Sequence, residues 1–147
     1  MTYSESALNT LQNISVRNLK KAEEQLAEAN KQLLKAADQH TMLQEYRQDY
    51  LVRCMSLMTE GMKIDGLRNY QSFVAKLDQA IIGQKGIEDH CAEQVRQSLQ
   101  LWQDCQKKKL SYEVLSERLE QRVYALEIKK DQKLMDEFAS RAKKFAY

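Results

Sequence analysis

Proline is absent from all 147 residues, where an ordinary chain carries about 5%. Nowhere, then, does a locked φ or a missing amide interrupt a helix. Glycine is nearly as scarce, confined to the pairs Gly61/Gly66 and Gly83/Gly86. Aromatic residues are 7%, lean for a globular core, with 43% hydrophobic and 30% charged residues overall. That balance suits long paired helices, each of which buries only a stripe. The longest apolar run, Val123–Leu126, falls far short of the roughly 20 residues that cross a bilayer. Met1–Ser6 lacks the charged-then-apolar pattern of a signal peptide. The cysteines, Cys54, Cys91 and Cys105, are odd in number and scattered, which fits reduced thiols rather than a disulfide framework. A formal net charge of +2 points to neither nucleic acid nor acidic ligands. No glycine-rich phosphate loop, HExxH or CxxC occurs. His90 and Cys91 are neighbours and project about 100° apart on a helix. The expectation is a soluble cytoplasmic domain with no catalytic group, metal or cofactor.

What is present is periodicity. Thr2 and Glu5 have capping-box spacing, predicting a first helix over about 3–58. Its core positions take Leu19, Ala22, Leu26, Ala29, Leu33, Ala36, His40, Leu43, Arg47, Tyr50, Cys54 and Leu57 in three- and four-residue steps. Leu8 and Leu11 read as out of phase with this frame, as a local stutter. The segment at about 59–66 breaks the pattern with two glycines, and Asp65 is a candidate cap for a second helix. That second helix, over about 67–145, has core positions running from Leu67 through Tyr70, Val74, Leu77, Ile81 and Gln84 to Trp102, Leu119, Val123 and Leu126. Gly83 and Gly86 lie inside it and are expected to soften it rather than end it.

The fold class expected is all-α, an antiparallel coiled-coil hairpin occupying residues 1–147 as one domain. Folding back near residue 62 makes core residues face each other when their numbers sum to about 124. Ala22 then faces Trp102, Leu43 faces Ile81, and His40 faces Gln84 in a polar layer; a slip by one heptad is the competing register. The second helix, about 120 Å at 1.5 Å per residue, outruns the first at about 80 Å. Its last two dozen or so residues overhang. There Leu134, Met135, Phe138, Ala142 and Phe145 share one face, ringed by Lys129, Lys130, Lys133, Arg141, Lys143 and Lys144. Such a helix can dock into another protein; a frayed tail or membrane-surface binding are the competing readings. Gln39 and Tyr46 sit just before core positions of the first helix, and Phe73 and Ala80 do so in the second. The four share one flank, as an exposed strip or as a thickening of the core.

Three stretches, LQEYRQDY (Leu43–Tyr50), NYQSFVAKLDQAI (Asn69–Ile81) and DQKLMDEFASRA (Asp131–Ala142), make the chain resemble the FliJ family of the bacterial flagellar type III export apparatus. The resemblance implies a stalk built like the γ-subunit of rotary ATP synthases. Its open end would enter the pore of the hexameric export ATPase FliI, favouring ring assembly and hydrolysis. It also implies contact with the export-gate protein FlhA through Gln39, Leu43, Tyr46, Tyr50, Phe73, Leu77 and Ala80. Gln84 stands where relatives carry an eighth such residue, a histidine. Placement in the overhang nominates Asp131, Leu134, Met135, Phe138 and Arg141 for the ATPase ring. Export chaperones are further implied partners, with a peripheral location at the cytoplasmic face of the inner membrane and a monomer when alone. The alternative function is a cytoplasmic chaperone or chaperone escort of export substrates. A self-associating coiled coil and a virulence-type secretion stalk complete the set.

Overall fold

The computed structural model describes residues 5–145. Helix α1 spans Glu5–Thr59 and helix α2 spans Ile64–Phe145, forming an all-α helical hairpin. Thr2, the proposed cap, lies outside the described residues. The connection is shorter than the glycine count suggests. Gly61 adopts φ +94°, the left-handed geometry that ends α1, and its amide donates to the Met58 carbonyl at 3.3 Å. Gly66, by contrast, lies in the first turns of α2, and Asp65 is not a cap but an acid in the first turn, where the helix dipole favours negative charge. Gly83 and Gly86 leave α2 unbroken.

The chain forms two compact units. The turn unit is Lys21–Gln103, and the terminal unit joins residues up to Lys20 with those from Asp104 onward. In the turn unit these residues of the expected seam are buried or half-buried: Ala22, Leu26, Ala29, Leu33, Ala36, Leu43 and Tyr50 on α1, and Leu67, Val74, Leu77, Ile81, Cys91 and Val95 on α2; Ala37, Leu51 and Asp78, outside it, are half-buried as well. Leu57 departs from this, at 39% exposure. Cross-helix contacts set the register. Arg47 pairs with Asp78, the Tyr50 and Phe73 rings lie 4.5 Å apart, and Gln84 Nε2 donates to the Ala36 carbonyl at 3.1 Å and to Gln39 Oε1 at 3.3 Å. All lie close to the expected pairing, and a one-heptad slip is excluded. The polar layer differs in detail: His40 Nδ1 faces Glu88 Oε2 at 3.2 Å, one turn beyond Gln84. Both side chains are long enough to meet along the helix axis.

In the terminal unit the seam residues are Leu8, Ser15 and Leu19, all buried, facing half-buried Tyr112, Ser116 and Leu119. There is no stutter. Leu8, Gln12, Ser15 and Leu19 continue the three–four alternation in phase, and Leu11 sits beside it. Ser15 hides the frame because its type is polar, yet its hydroxyl donates to the Gln12 carbonyl at 2.8 Å and leaves no unpaired group in the seam. From Glu120 to Phe145 every residue is exposed.

Candidate partner-binding surfaces

Among the described residues no helix is long and apolar enough to cross a membrane, and no group of three or more potential ligands forms a metal site. What could carry function is surface.

In the turn unit, heptad geometry places Tyr46 beside the seam of α1 and Phe73 beside that of α2. Their rings meet edge-on, centroids 6.4 Å apart. Tyr50 packs beneath, 6.4 Å from Tyr46, 4.5 Å from Phe73 and 4.7 Å from Tyr70. Burial is the first cause that raises the Tyr50 phenol above its ordinary value; Tyr70, Tyr46 and Cys54 act in the same direction. Despite this packing Tyr46 keeps 50% of its surface in water and Phe73 36%. Gln39 and Ala80 are exposed as well, so the four-residue strip expected from the heptads exists as a surface. Gln39, Leu43, Tyr46 and Gln84 also line a shallow groove together with Met42, Glu45 and Asp49. Of the eight residues expected at the gate contact, Leu77 is buried at 7%. Leu43, Tyr50 and Gln84 are half-buried. These four therefore serve the seam as well as any partner. Ile87, seven residues beyond Ala80 and on the same flank, is 54% exposed and belongs to the strip too. Its heptad spacing is the signal that would have found it.

In the terminal unit Leu134, Met135, Phe138 and Phe145 are between 63% and 91% exposed. Asp131 and Arg141 are exposed beside them. None of these side chains lies against α1. Just beyond the seam, Val123 and Leu126 form an open groove with Glu127, Lys129, Lys130 and Lys133.

A profile of the family described as Flagellar FliJ protein matches residues 4–144, nearly the whole chain. The chain belongs to the FliJ family. Among its FliJ relatives, the Flagellar FliJ protein of Escherichia coli (strain K12) is 29% identical over 136 residues, 92% of each chain. That of Salmonella typhi is 28% identical over the same length and coverage. No solved structure gives a significant match. The FliJ match covers both the aromatic strip and the exposed tail, so neither surface is an appendage to the family's shared length.

Proposed function

We propose that this chain is a non-enzymatic coupling component of the flagellar type III export apparatus. The tail engages the hexameric export ATPase, promoting ring assembly and hydrolysis, and the aromatic strip contacts the export gate. Export chaperones are further partners of the same apparatus, and the protein works at the cytoplasmic face of the inner membrane. The observation that carries this reading is the run of exposed residues from Glu120 to Phe145, in which large apolar side chains remain in water on a continuous helix. Exposed apolar surface of this kind marks an interaction site. Within the FliJ family the natural addressee is the apparatus the family serves.

The mechanism needs no reactive group. A single asymmetric helix in a symmetric ring contacts successive subunits differently, and any state it binds more tightly becomes more populated. Asp131, Leu134, Met135, Phe138 and Arg141 are the ring-facing residues of this reading. Gln39, Leu43, Tyr46, Tyr50, Phe73, Leu77, Ala80 and Gln84 face the gate. Titrating the protein into its purified cognate ATPase tests the first half: hydrolysis and hexamer fraction rise, and removal of residues 130–147 abolishes both effects. Unchanged hydrolysis over the full titration rejects it. The chaperone-escort reading draws on the exposed Tyr46–Phe73 pair; it requires that tail removal leave all complexes intact.

A further inference from the structure

Midway along the turn unit, α2 is weakened on its inner and its outer face at the same level. Its seam positions between Ile81 and Cys91 are Gln84 and Glu88, and the α1 seam residue between Ala36 and Leu43 is His40. Over about 15 Å of helix the seam is therefore polar rather than apolar. Gln84 Nε2 is held by the Ala36 carbonyl and Gln39 Oε1, but Glu88 Oε2 is buried beside His40 without a hydrogen bond. The outer face of the same turns carries Gly83 and Gly86, both exposed. At 100° per residue Gly86 lies opposite the seam and Gly83 about 120° from it.

Packing does not call for these two glycines. A Cβ built at Gly66 would meet Met62 Cγ at 3.1 Å, whereas one at Gly83 or Gly86 meets nothing within 4 Å, and neither has a positive φ. Each lowers helix stability with no close approach in return. The exposed Lys85–Asp89 pair, 3.4 Å apart, offsets less than one glycine takes away. On the turn side the seam is stronger, with Leu77 buried and the Tyr50, Tyr70 and Phe73 rings packed together. Segments with few buried apolar contacts open before the rest of a fold. We infer that α2 opens locally at residues 83–88, giving the hairpin a joint beside its aromatic cluster. Gln84 lines the groove next to Tyr46, and Ile87 belongs to the exposed flank. Opening therefore moves Ile87 relative to Tyr46 and Phe73, and the strip changes shape while the seam beneath the aromatic rings stays closed. The joint is independent of which partner the strip meets.

Hydrogen exchange of the full chain, read at single amides by NMR and corrected for intrinsic rates, tests the joint. Amides of residues 84–90 are expected to be at least about tenfold less protected than those of 74–77 and 94–98. Their exchange should also respond weakly to low urea, because a local opening exposes little surface. The double variant Gly83→Ala with Gly86→Ala should slow exchange at 84–90 by at least about fivefold, since both alanines favour the closed helix. Equal protection from 74 to 98 would overturn the joint. So would a urea dependence at 84–90 as steep as on the flanks, which would mean that these amides exchange only when the whole hairpin unfolds. Exchange at 84–90 left unchanged by the two alanines would overturn it as well.

Discussion

Tyr50 concentrates several roles in one side chain. It is a seam residue, the floor of the aromatic cluster and a candidate gate contact. The folded state holds its phenol above the ordinary value, chiefly through burial, so folding favours the protonated form. The stabilisation is complete below the unfolded value near pH 10 and is lost as pH rises through the folded one. Urea melts on either side of about pH 10 are therefore expected to show alkaline loss of stability that shrinks in Tyr50→Phe. Equal losses in both proteins would remove Tyr50 as the cause. Gly83 and Gly86 make the opposite point. A Cβ built at either meets nothing within 4 Å, and both sit in a regular helix, so Gly83→Ala and Gly86→Ala should each stabilise by up to about 1 kcal/mol. A rise in thermal midpoint for both, additive in the double variant, is the expected result. A fall would mean that the flexible spot is needed by the fold. Gly61 differs, because its φ of +94° strains any other residue.

At the scale of the element, the seam in the turn unit is interrupted by polar cross-helix pairs. Glu88 Oε2 is buried against His40, with Lys85 Nζ 3.8 Å away. Glu88 Oε2 has no hydrogen-bond partner, so replacing His40 alone by Leu sets an apolar group against an unsatisfied buried oxygen and should cost about 1–3 kcal/mol. The double change His40→Leu with Glu88→Leu should recover most of it, as paired removal of buried polar partners does. A double-mutant cycle by urea melts decides this, and simple additivity would show the pair uncoupled. The Arg47–Asp78 pair is more exposed, about a third and a half on the two sides, and is expected to contribute less. Such pairs add little stability and act on register, since any slip would separate both. On α2 itself Glu93 is bound by Arg96, with Nη2 to Oε1 at 2.6 Å. That hydrogen bond lowers the Glu93 carboxyl and raises the Arg96 guanidinium, a local support of an exposed turn.

For the whole molecule, stability and function are expected to separate by region. Removing residues 130–147 deletes only exposed described side chains, so the remaining hairpin should melt within about a degree or two of the full chain. ATPase stimulation should nevertheless disappear. A large fall in the thermal midpoint would show that the tail packs on the hairpin after all. In the turn unit, Tyr46→Ala and Phe73→Ala should weaken gate binding by about tenfold or more, as loss of aromatic anchors does. Leu77→Ala should lose stability by about 2 kcal/mol or more because Leu77 is buried. Gate binding must therefore be compared at matched folded fractions, and Ile87→Ala, on the exposed flank, supplies a variant free of that confusion.

Periodicity alone determined the hairpin. A residue's chance of burial repeats every three or four positions, so the seam and the exposed tail are written in residue order, and the register to within one heptad; the contacts of Arg47 with Asp78 and of Gln84 with Ala36 chose between the alternatives. The aromatic strip was legible for the same reason, as flank positions of that frame. Other features depended on packing. Ser15 serves the seam because its hydroxyl bonds its own helix, a choice that residue type conceals. Gly66 looks like a breaker, yet near a helix start it interrupts little. His40 meets Glu88 rather than Gln84 because long side chains reach along the axis once two backbones are fixed side by side. Which face is buried is set by spacing; which polar atoms meet across it is set by distances that exist only when the helices have packed.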